Sequence, residues 1–401
     1  MAPLTSSPSY PVLRLRQGGH KRLVAGHPWL YSNEIEMDAP AKALPPGGLV
    51  RLAAAGGEAL GVAGFNPHSL IAARRLTPDP GACVDRDFVR VRLAAALALR
   101  ETLFDTPYYR WVHAEADSLP GLVLDRYGSV IVGQANTATM RLLAPQIEAA
   151  VQDLVSPQAM IWRNDSPVSR LEGLEEEERM AFGQIPADLE IEENGGHFRV
   201  DPQDGQKTGW FFDQRDNRAL VARMAKGRTL LDLYSFAGGF GVTAARMGAA
   251  RVVGVDASAH AVELANGNAV RNDVSGHCQF IKAEAFDYLE QAFAAGVRFE
   301  MVSADPPAFV RSRKDLNAGA RGYRKLTRLC AMLVSPGGFL FLASCSHHVP
   351  PELLLEQAAR GLHDAGRQAR LLRQTGAGMD HPVHPQLPES AYLKGLLFAL
   401  D

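Results

Sequence analysis

From residue 229 to residue 342 the chain alternates short apolar runs with helical segments, and that rhythm leaves little freedom of fold. Residues 229–234, 251–256, 279–281, 299–303 and 338–342 read as strands, and 241–247 and 259–270 as helices between them. Strands this apolar, with helices on either side, specify an α/β arrangement: a mostly parallel sheet covered on both faces. Ligands of such sheets bind beyond the carboxyl ends of the strands, so the residues after each strand carry the functional information.

Before residue 229 the pattern changes. Residues 12–15, 48–52, 60–63 and 71–76 are β-type runs broken by Gly and Pro, which predicts a small β module. Thr77-Pro78-Asp79-Pro80-Gly81 is a turn-rich joint, and helical periodicity follows over 87–104. A strand pair at 121–125 and 130–134 turns at Tyr127-Gly128; a helix over 139–154 and a strand over 160–163 come next. Glu175 to Glu178 is a like-charge run that reads as a solvated loop or helix end. Runs at 189–192 and 197–200 flank Asn194-Gly195, a hairpin signal of type I′, whose two central residues both need positive φ. With 401 residues the chain exceeds one hydrophobic core. The expected domains are a small β module at 1–77, a middle α+β domain at 78–188, and the α/β domain with its leading hairpin at 189–401.

A formal net charge of -2 provides no global basic field, so any nucleic-acid partner must be held by a local patch. No stretch approaches the ~20 apolar residues of a membrane span and no signal peptide is evident, which predicts a cytoplasmic protein. Cys83, Cys278, Cys330 and Cys345 lack CxxC spacing, which argues against a zinc site or a disulfide framework. Each is expected as a free thiol, with Cys83, Cys278 and Cys330 serving as small buried hydrophobes.

The strand-following residues form a series. After the first strand, Ser235-Phe236-Ala237-Gly238-Gly239-Phe240-Gly241 lets the backbone turn tightly before a helix. The second strand ends in Asp256, whose carboxylate can accept from both hydroxyls of a ribose, and the third leads to Glu284, placed for an adenine or ribose edge. The turn lacks GxGxxG spacing and no phosphate-binding lysine follows it, so NAD and ATP fit poorly and S-adenosylmethionine (SAM) fits better. After the fourth strand stands Asp305-Pro306-Pro307-Ala308-Phe309, similar to the Asp-Pro-Pro-aromatic loops of nucleic-acid methyltransferases. There Asp305 can bond the polar edge of a base and Phe309 can stack on a ring. A strand-ending turn with a capping Asp is the structural alternative for this loop. After the fifth strand, Ser344-Cys345-Ser346-His347-His348 brings a thiol toward the same cleft.

With Asp305 and Cys345 both placed, the chain resembles the RlmI-type 23S ribosomal RNA 5-methylcytosine methyltransferases over nearly its whole length. The resemblance rests on Gly26-His27-Pro28-Trp29 with Asn66-Pro67-His68-Ser69, on the segment from Lys207 through Gln214 and Arg215 to Arg218, and on Ser344 to His348. It extends to Asp380-His381-Pro382, Pro388-Glu389 and Tyr392-Leu393-Lys394. It implies an N-terminal PUA-like RNA-binding module, a middle α+β domain and a C-terminal Rossmann-like class I methyltransferase domain. The implied cofactor set is Gln214 and Arg215, then Asp232, Ser235, Phe236 and Gly238, then Asp256-Ala257, Glu284-Ala285 and Asp305.

The implied chemistry has a physical need. Carbon 5 of cytosine is not nucleophilic until a thiolate adds to carbon 6, so Cys345 would be the nucleophile, with Asp305 holding the base. Many RNA 5-methylcytosine enzymes carry a second cysteine in the Asp-Pro loop; here Ala308 stands there, as in the RlmI-type members. The base that removes the carbon 5 proton is unassigned, His347 and His348 being candidates by their titration range and equally readable as structural.

Arg14, Arg16, Lys21 and Arg22, with Arg74 and Arg75, are expected phosphate contacts in the first module, a solvated surface being the alternative. Arg311, Arg313, Lys314, Arg321, Arg324 and Lys325 follow the Asp305 loop and could guide a strand to the pocket. The expected partner is ribosomal RNA in a single-stranded or opened region. A homodimer is compatible with the sequence, although no motif specifies one. Two rivals stay open: a base-nitrogen methyltransferase with Cys345 a bystander, and a non-catalytic SAM- and RNA-binding assembly protein.

Overall fold

The structure is a computed structural model that describes residues 9–202, 209–310 and 312–401. Lys207, Thr208 and Arg311 lie outside the described residues. The chain divides into two compact units. The first comprises Met1–Leu189, Asp201–Trp210 and Asp380–Pro388; the second comprises Glu190–Val200, Phe211–Met379 and Glu389–Asp401.

The first unit contains two five-stranded sheets. Strands β1 (Val12–Arg14), β2 (Trp29–Leu30), β3 (Gly48–Ala53), β4 (Ala59–Phe65) and β5 (Ala73–Thr77) pair in the order β1-β3-β4-β5-β2 around a core of Leu13, Leu15, Val50, Leu52 and Phe65. A helix, Arg86–Leu103, follows, its first turn capped by the Asp85 side chain, which accepts from the Phe88 N–H. The second sheet comprises β6 (Tyr108–His113), β7 (Leu122–Tyr127), β8 (Val130–Ala135), β9 (Ala159–Asn164) and β10 (Glu177–Gly183) in the order β10-β9-β8-β7-β6.

Four sequence expectations need correction here. The helix over 139–154 is two helices, Ala138–Leu142 and Ala144–Val155, because Pro145 has no N–H to continue the first ladder. The Glu175–Glu178 run is not wholly loop: Glu177 and Glu178 open β10, where ion pairs to Arg141 and Arg163 offset the like charge. Arg74, expected on a phosphate, is half-buried and ion-paired to Glu172 at 2.7 Å. Cys83 is exposed and Cys278 half-buried, leaving Cys330 as the one of those three that is buried; all three are free thiols.

Glu172 also explains Asn66 and Ser69. The buried Asn66 amide donates to its carboxylate at 3.0 Å and the Ser69 hydroxyl at 2.9 Å, so this motif is used inside the unit. Burial alone would raise the Glu172 pKa, but Arg74, Asn66 and Ser69 together hold it below the usual range.

In the second unit the hairpin β11 (Glu190–Glu193) and β12 (Gly196–Arg199) turns through Asn194 at φ +52° and Gly195 at φ +73°, the left-handed pair a type I′ turn demands. The main sheet has seven strands: β13 (Thr229–Leu233), β14 (Arg251–Asp256), β15 (Cys278–Lys282), β16 (Phe299–Ala304), β17 (Val334–Ser344), β18 (Ala369–Thr375) and β19 (Lys394–Leu400). Their order is β15-β14-β13-β16-β17-β19-β18, parallel from β15 through β17, with β19 antiparallel to both neighbours. The sequence pattern anticipated the first five strands; β18 and β19 are additions. Leu231, Leu233, Val253, Val255, Val302, Leu340 and Leu342 are buried at the centre, each side chain contributing about 1.5–3 kcal/mol. The connections reverse direction between β13 and β16, which opens a crevice at the carboxyl ends of those strands. Among the described residues no helix is long and apolar enough to cross a membrane.

Candidate active site

The turn after β13 concentrates left-handed backbone. Tyr234 (φ +61°), Phe236 (φ +46°) and Gly238 (φ +78°) are all left-handed, a cost of order 1–3 kcal/mol for each of the first two. Three bonds maintain it. The Phe236 N–H donates to Asp256 Oδ2 at 2.9 Å, the Ser235 N–H to the Val255 carbonyl at 3.1 Å, and the Gly241 N–H to Asp232 Oδ2 at 3.0 Å. The helix Gly239–Arg246 begins at once, with its N-terminus against the turn.

Three side-chain oxygens of this turn and of the strands β13 and β16 are unsatisfied. Asp232 Oδ1, Ser235 Oγ and Ser303 Oγ are buried with no hydrogen-bond partner. Asp232 and Ser303 are register partners on β13 and β16, so both side chains face the same side of the sheet. Burial pushes the Asp232 carboxyl up to about 8; the Gly241 N–H opposes this, and the carboxylates of Asp305 and Asp256 add to it. Buried polar atoms normally have partners, so an unpaired carboxylate oxygen with unpaired hydroxyls on the paired strand and in the following turn marks a candidate ligand position. An ammonium and hydroxyl groups are what these atoms lack, and the amino-acid and ribose parts of SAM offer both.

The remaining cofactor candidates surround that point. Asp256 ends β14; its Oδ1 accepts from the Ser258 N–H at 2.9 Å, and each oxygen keeps a second lone pair for a hydroxyl. Ala257 lies between Asp256 and Ser258, which caps the helix Ala259–Arg271. Glu284 is exposed at the start of the helix Ala285–Ala294, whose Ala285 is buried. Gln214 and Arg215 are buried in a polar cluster in which Gln214 Oε1 accepts from Asn217 and Arg215 lies beside Glu193.

At the neighbouring strand ends stand the two residues with chemistry. Asp305 follows β16 and Cys345 follows β17; the strands are parallel partners, with Ala304 opposite Leu342. Both residues are half-buried. Phe309 packs on Tyr323, ring centroids 4.8 Å apart, and stacks on Phe286 at 6.3 Å. Tyr323, fully buried on the helix Leu316–Leu333, ties the loops together: its hydroxyl accepts from Ser344 at 2.8 Å and shares a hydrogen with Ser346 Oγ at 2.9 Å. Ser346 Oγ in turn accepts the Val310 N–H at 3.3 Å, joining the Asp305 loop to the Cys345 loop.

Lys394 was legible only as part of a resemblance; the structure adds its surroundings. It sits opposite Ser344 in the β17–β19 ladder, is buried, and donates to the carbonyls of Ser346 at 2.6 Å and Tyr392 at 2.7 Å. Burial lowers its ammonium pKa to about 8, while the Cys345 sulfur pulls the other way. His347 and His348 are exposed, and His347 stacks on Tyr392 with centroids 5.2 Å apart. Among the other cysteines, burial pushes Cys278 up to about 12 and raises Cys330 further.

The structure thus brings Asp232, Ser235, Phe236, Gly238, Asp256, Glu284, Asp305 and Cys345 to the carboxyl ends of successive strands of one sheet. Arg14, Arg16, Lys21 and Arg22 are exposed in the first unit and are not part of that group. Arg22 is ion-paired to Glu34 at 2.8 Å and lies over the Tyr31 ring.

Comparison with known proteins identifies the family. Residues 176–399 match the family model described as S-adenosylmethionine-dependent methyltransferase, and residues 13–78 match that of a PUA-like domain. The chain is 36% identical over 387 residues to the ribosomal RNA large subunit methyltransferase I of Pseudoalteromonas atlantica, covering 96% of this chain and 98% of that one. It is 35% identical over 390 residues to the protein of the same name from Shewanella amazonensis, with the same coverage. Among solved structures, SMU.776, a methyltransferase complexed with SAH, superposes with a TM-score of 0.83 at 22% identity, over 97% of this chain and all of that chain (100%). The chain belongs to the S-adenosylmethionine-dependent methyltransferases and, within them, to the family of ribosomal RNA large subunit methyltransferase I.

Proposed function

We propose that this protein methylates carbon 5 of a cytosine in 23S ribosomal RNA through a covalent adduct on Cys345. The observation that carries the reading is the half-buried thiol of Cys345 at the end of β17, one strand over from Asp305 at the end of β16, beside the cofactor turn. The division of labour follows the segments 1–77 for RNA contact, 78–188 as the middle domain and 189–401 for methyl transfer.

Asp232, Ser235, Phe236, Gly238 and Asp256 would hold SAM, whose sulfonium supplies an electrophilic methyl group. Cys345, as the thiolate, adds to carbon 6 of the base and pushes electron density onto carbon 5 and ring nitrogen 3. Asp305 holds the polar edge of the base while that charge develops. Carbon 5 takes the methyl, its proton leaves, and the electron pair of the sulfur–carbon bond returns to Cys345. The stiff Pro306-Pro307 pair keeps Asp305 fixed while this happens.

A base must leave its stack to reach such a site, so the substrate is a single-stranded or opened region of RNA in the cytoplasm. Exposed Arg14, Arg16, Lys21 and Arg22 supply phosphate contacts. Each step uses one copy of each residue, and a homodimer is compatible with it.

Incubation with labelled SAM and 23S RNA lacking modification, followed by nucleoside mass spectrometry, tests the reading. Label in 5-methylcytidine that disappears in Cys345→Ala is the expected result. Label in a methylated guanosine or adenosine, retained by that variant, would replace the reading with a nitrogen methyltransferase.

A further inference from the structure

An attacking thiolate needs something to take its proton and something to hold its charge, because a free thiol with a pKa of about 8.5 is only a few per cent ionised near neutrality. The groups around Cys345 narrow the choice. The helix Leu316–Leu333 presents Tyr323, whose hydroxyl is occupied by Ser344 and Ser346. The Cys345 loop and the segment before β19 present His347, stacked on Tyr392, whose hydroxyl donates to the Asp213 carboxylate. The β16 loop presents Asp305, which repels a second negative charge. The ladder register runs the Lys394 side chain alongside the nucleophile: it starts opposite Ser344, the residue before Cys345, and its nitrogen ends on the carbonyl of Ser346, the residue after.

We propose that Lys394 accepts the Cys345 proton and, as an ammonium, holds the resulting thiolate ready to add to the base. Two carbonyls fix the position of Nζ, from Ser346 and from Tyr392. A neutral amine can donate both its N–H groups to those carbonyls and still keep its lone pair for the thiol proton; the ammonium then has a third N–H for the sulfur. Burial lowers the Lys394 pKa to about 8, which keeps both forms accessible near neutral pH.

The step balances. The S–H bond breaks, an N–H bond forms on Nζ, and the electron pair remains on Sγ. That pair makes the bond to carbon 6 and returns to Sγ on elimination. Since Lys394 already carries the thiol proton, the carbon 5 proton leaves to water. Lys394 is a positioning residue, acting on the base through Cys345. The assignment deepens the function proposed above and rests on it for the identity of the electrophile, but the state of the thiol is measurable without RNA.

The test is alkylation of the full-length protein by iodoacetamide between about pH 6 and pH 10. The Cys345 peptide is followed by mass spectrometry, each rate normalised to its own high-pH plateau, with the same peptide from urea-unfolded protein as the reference. At pH 7 the Lys394→Met variant is expected to lose about tenfold in normalised rate, the difference closing toward pH 10, where the thiol ionises unaided. Lys394→Arg, which keeps a fixed charge, is expected to retain most of the wild-type rate. Should Lys394→Met fail to fold, the wild-type profile decides alone. A folded-state Cys345 profile no more reactive near neutrality than that of the unfolded chain overturns the proposal, as does a Lys394→Met profile matching the wild type. If RNA label appears outside 5-methylcytidine while the Cys345 profile behaves as expected, the cytosine reading fails and the thiolate pair stands.

Discussion

Replacing Asp232 by Asn changes a single buried atom, and its effect can be calculated as a slope. Burial holds the Asp232 carboxyl up to about 8 in the folded protein, whereas in an unfolded chain an aspartate ionises near about 3.9. Between those pH values the folded state binds one more proton than the unfolded state, so stability falls as pH rises. The fall is at most about 1.4 kcal/mol per pH unit, and about 2.5 kcal/mol from pH 5.5 to pH 7.5. For a domain of about 150–250 residues that is a drop of roughly 5–10 °C in Tm. Asn keeps the shape, cannot ionise, and lacks this fall. Histidines titrate in the same window in both proteins, so the difference between the two profiles isolates Asp232. Scanning calorimetry without SAM measures it, and the transition that SAM shifts upward identifies the unit that carries Asp232. Saturating SAM places an ammonium by the unpartnered oxygen, favours the ionised form and flattens the wild-type slope. Wild-type and Asp232→Asn profiles that run parallel from pH 5.5 to 7.5 would refute the reasoning.

Two further perturbations probe other parts of the molecule. Glu172→Gln leaves Arg74 with only the longer ion pair to Glu115 at 3.7 Å and is expected to cost about 1–3 kcal/mol at pH 7 by chemical denaturation. Because the Glu172 pKa is lowered in the folded state, its contribution is complete above the ordinary glutamate pKa of about 4.3 and disappears as pH falls below it; a penalty that persists unchanged in strong acid would contradict that assignment. Tyr323→Phe strips the hydroxyl that joins Ser344 to Ser346 and is expected to lower kcat about tenfold, with about 1–3 kcal/mol lost in stability; an unchanged kcat would give that hydroxyl a purely structural role.

The sequence carried the site wherever function follows directly from a strand end. Gly238, Asp256, Asp305 and Cys345 were all readable, because a parallel sheet brings residues after successive strands to one edge whatever else the chain does. Pairings between distant segments were not. Tyr323 lies in mid-helix with no local signal, and its role appears only when that helix packs beneath both loops. Lys394 stood in a recognisable motif, yet its partner depends on β19 aligning against β17, a register no local pattern encodes. Asn66 and Ser69 were readable as a motif of the first module, but Glu172, which uses them, is distant in sequence and sits beside a like-charge run that suggested only solvent. The orphaned oxygens of Asp232, Ser235 and Ser303 belong to the same class, since an absent partner is visible only in three dimensions.

The order of the strands has a consequence for biogenesis. β19 follows β18 in the chain yet lies between β17 and β18. While the polypeptide is emerging from the ribosome, β17 therefore has one free edge until residues 394–400 are available to fill it. Lys394 opens that final strand, so Cys345 acquires its basic neighbour after every other strand of the sheet has been made. A nascent chain bearing an activated thiolate would be exposed to oxidation and to stray electrophiles throughout synthesis. If Lys394 activates Cys345 as proposed, the sulfur stays in its less reactive state until residues 394–400 have paired with β17.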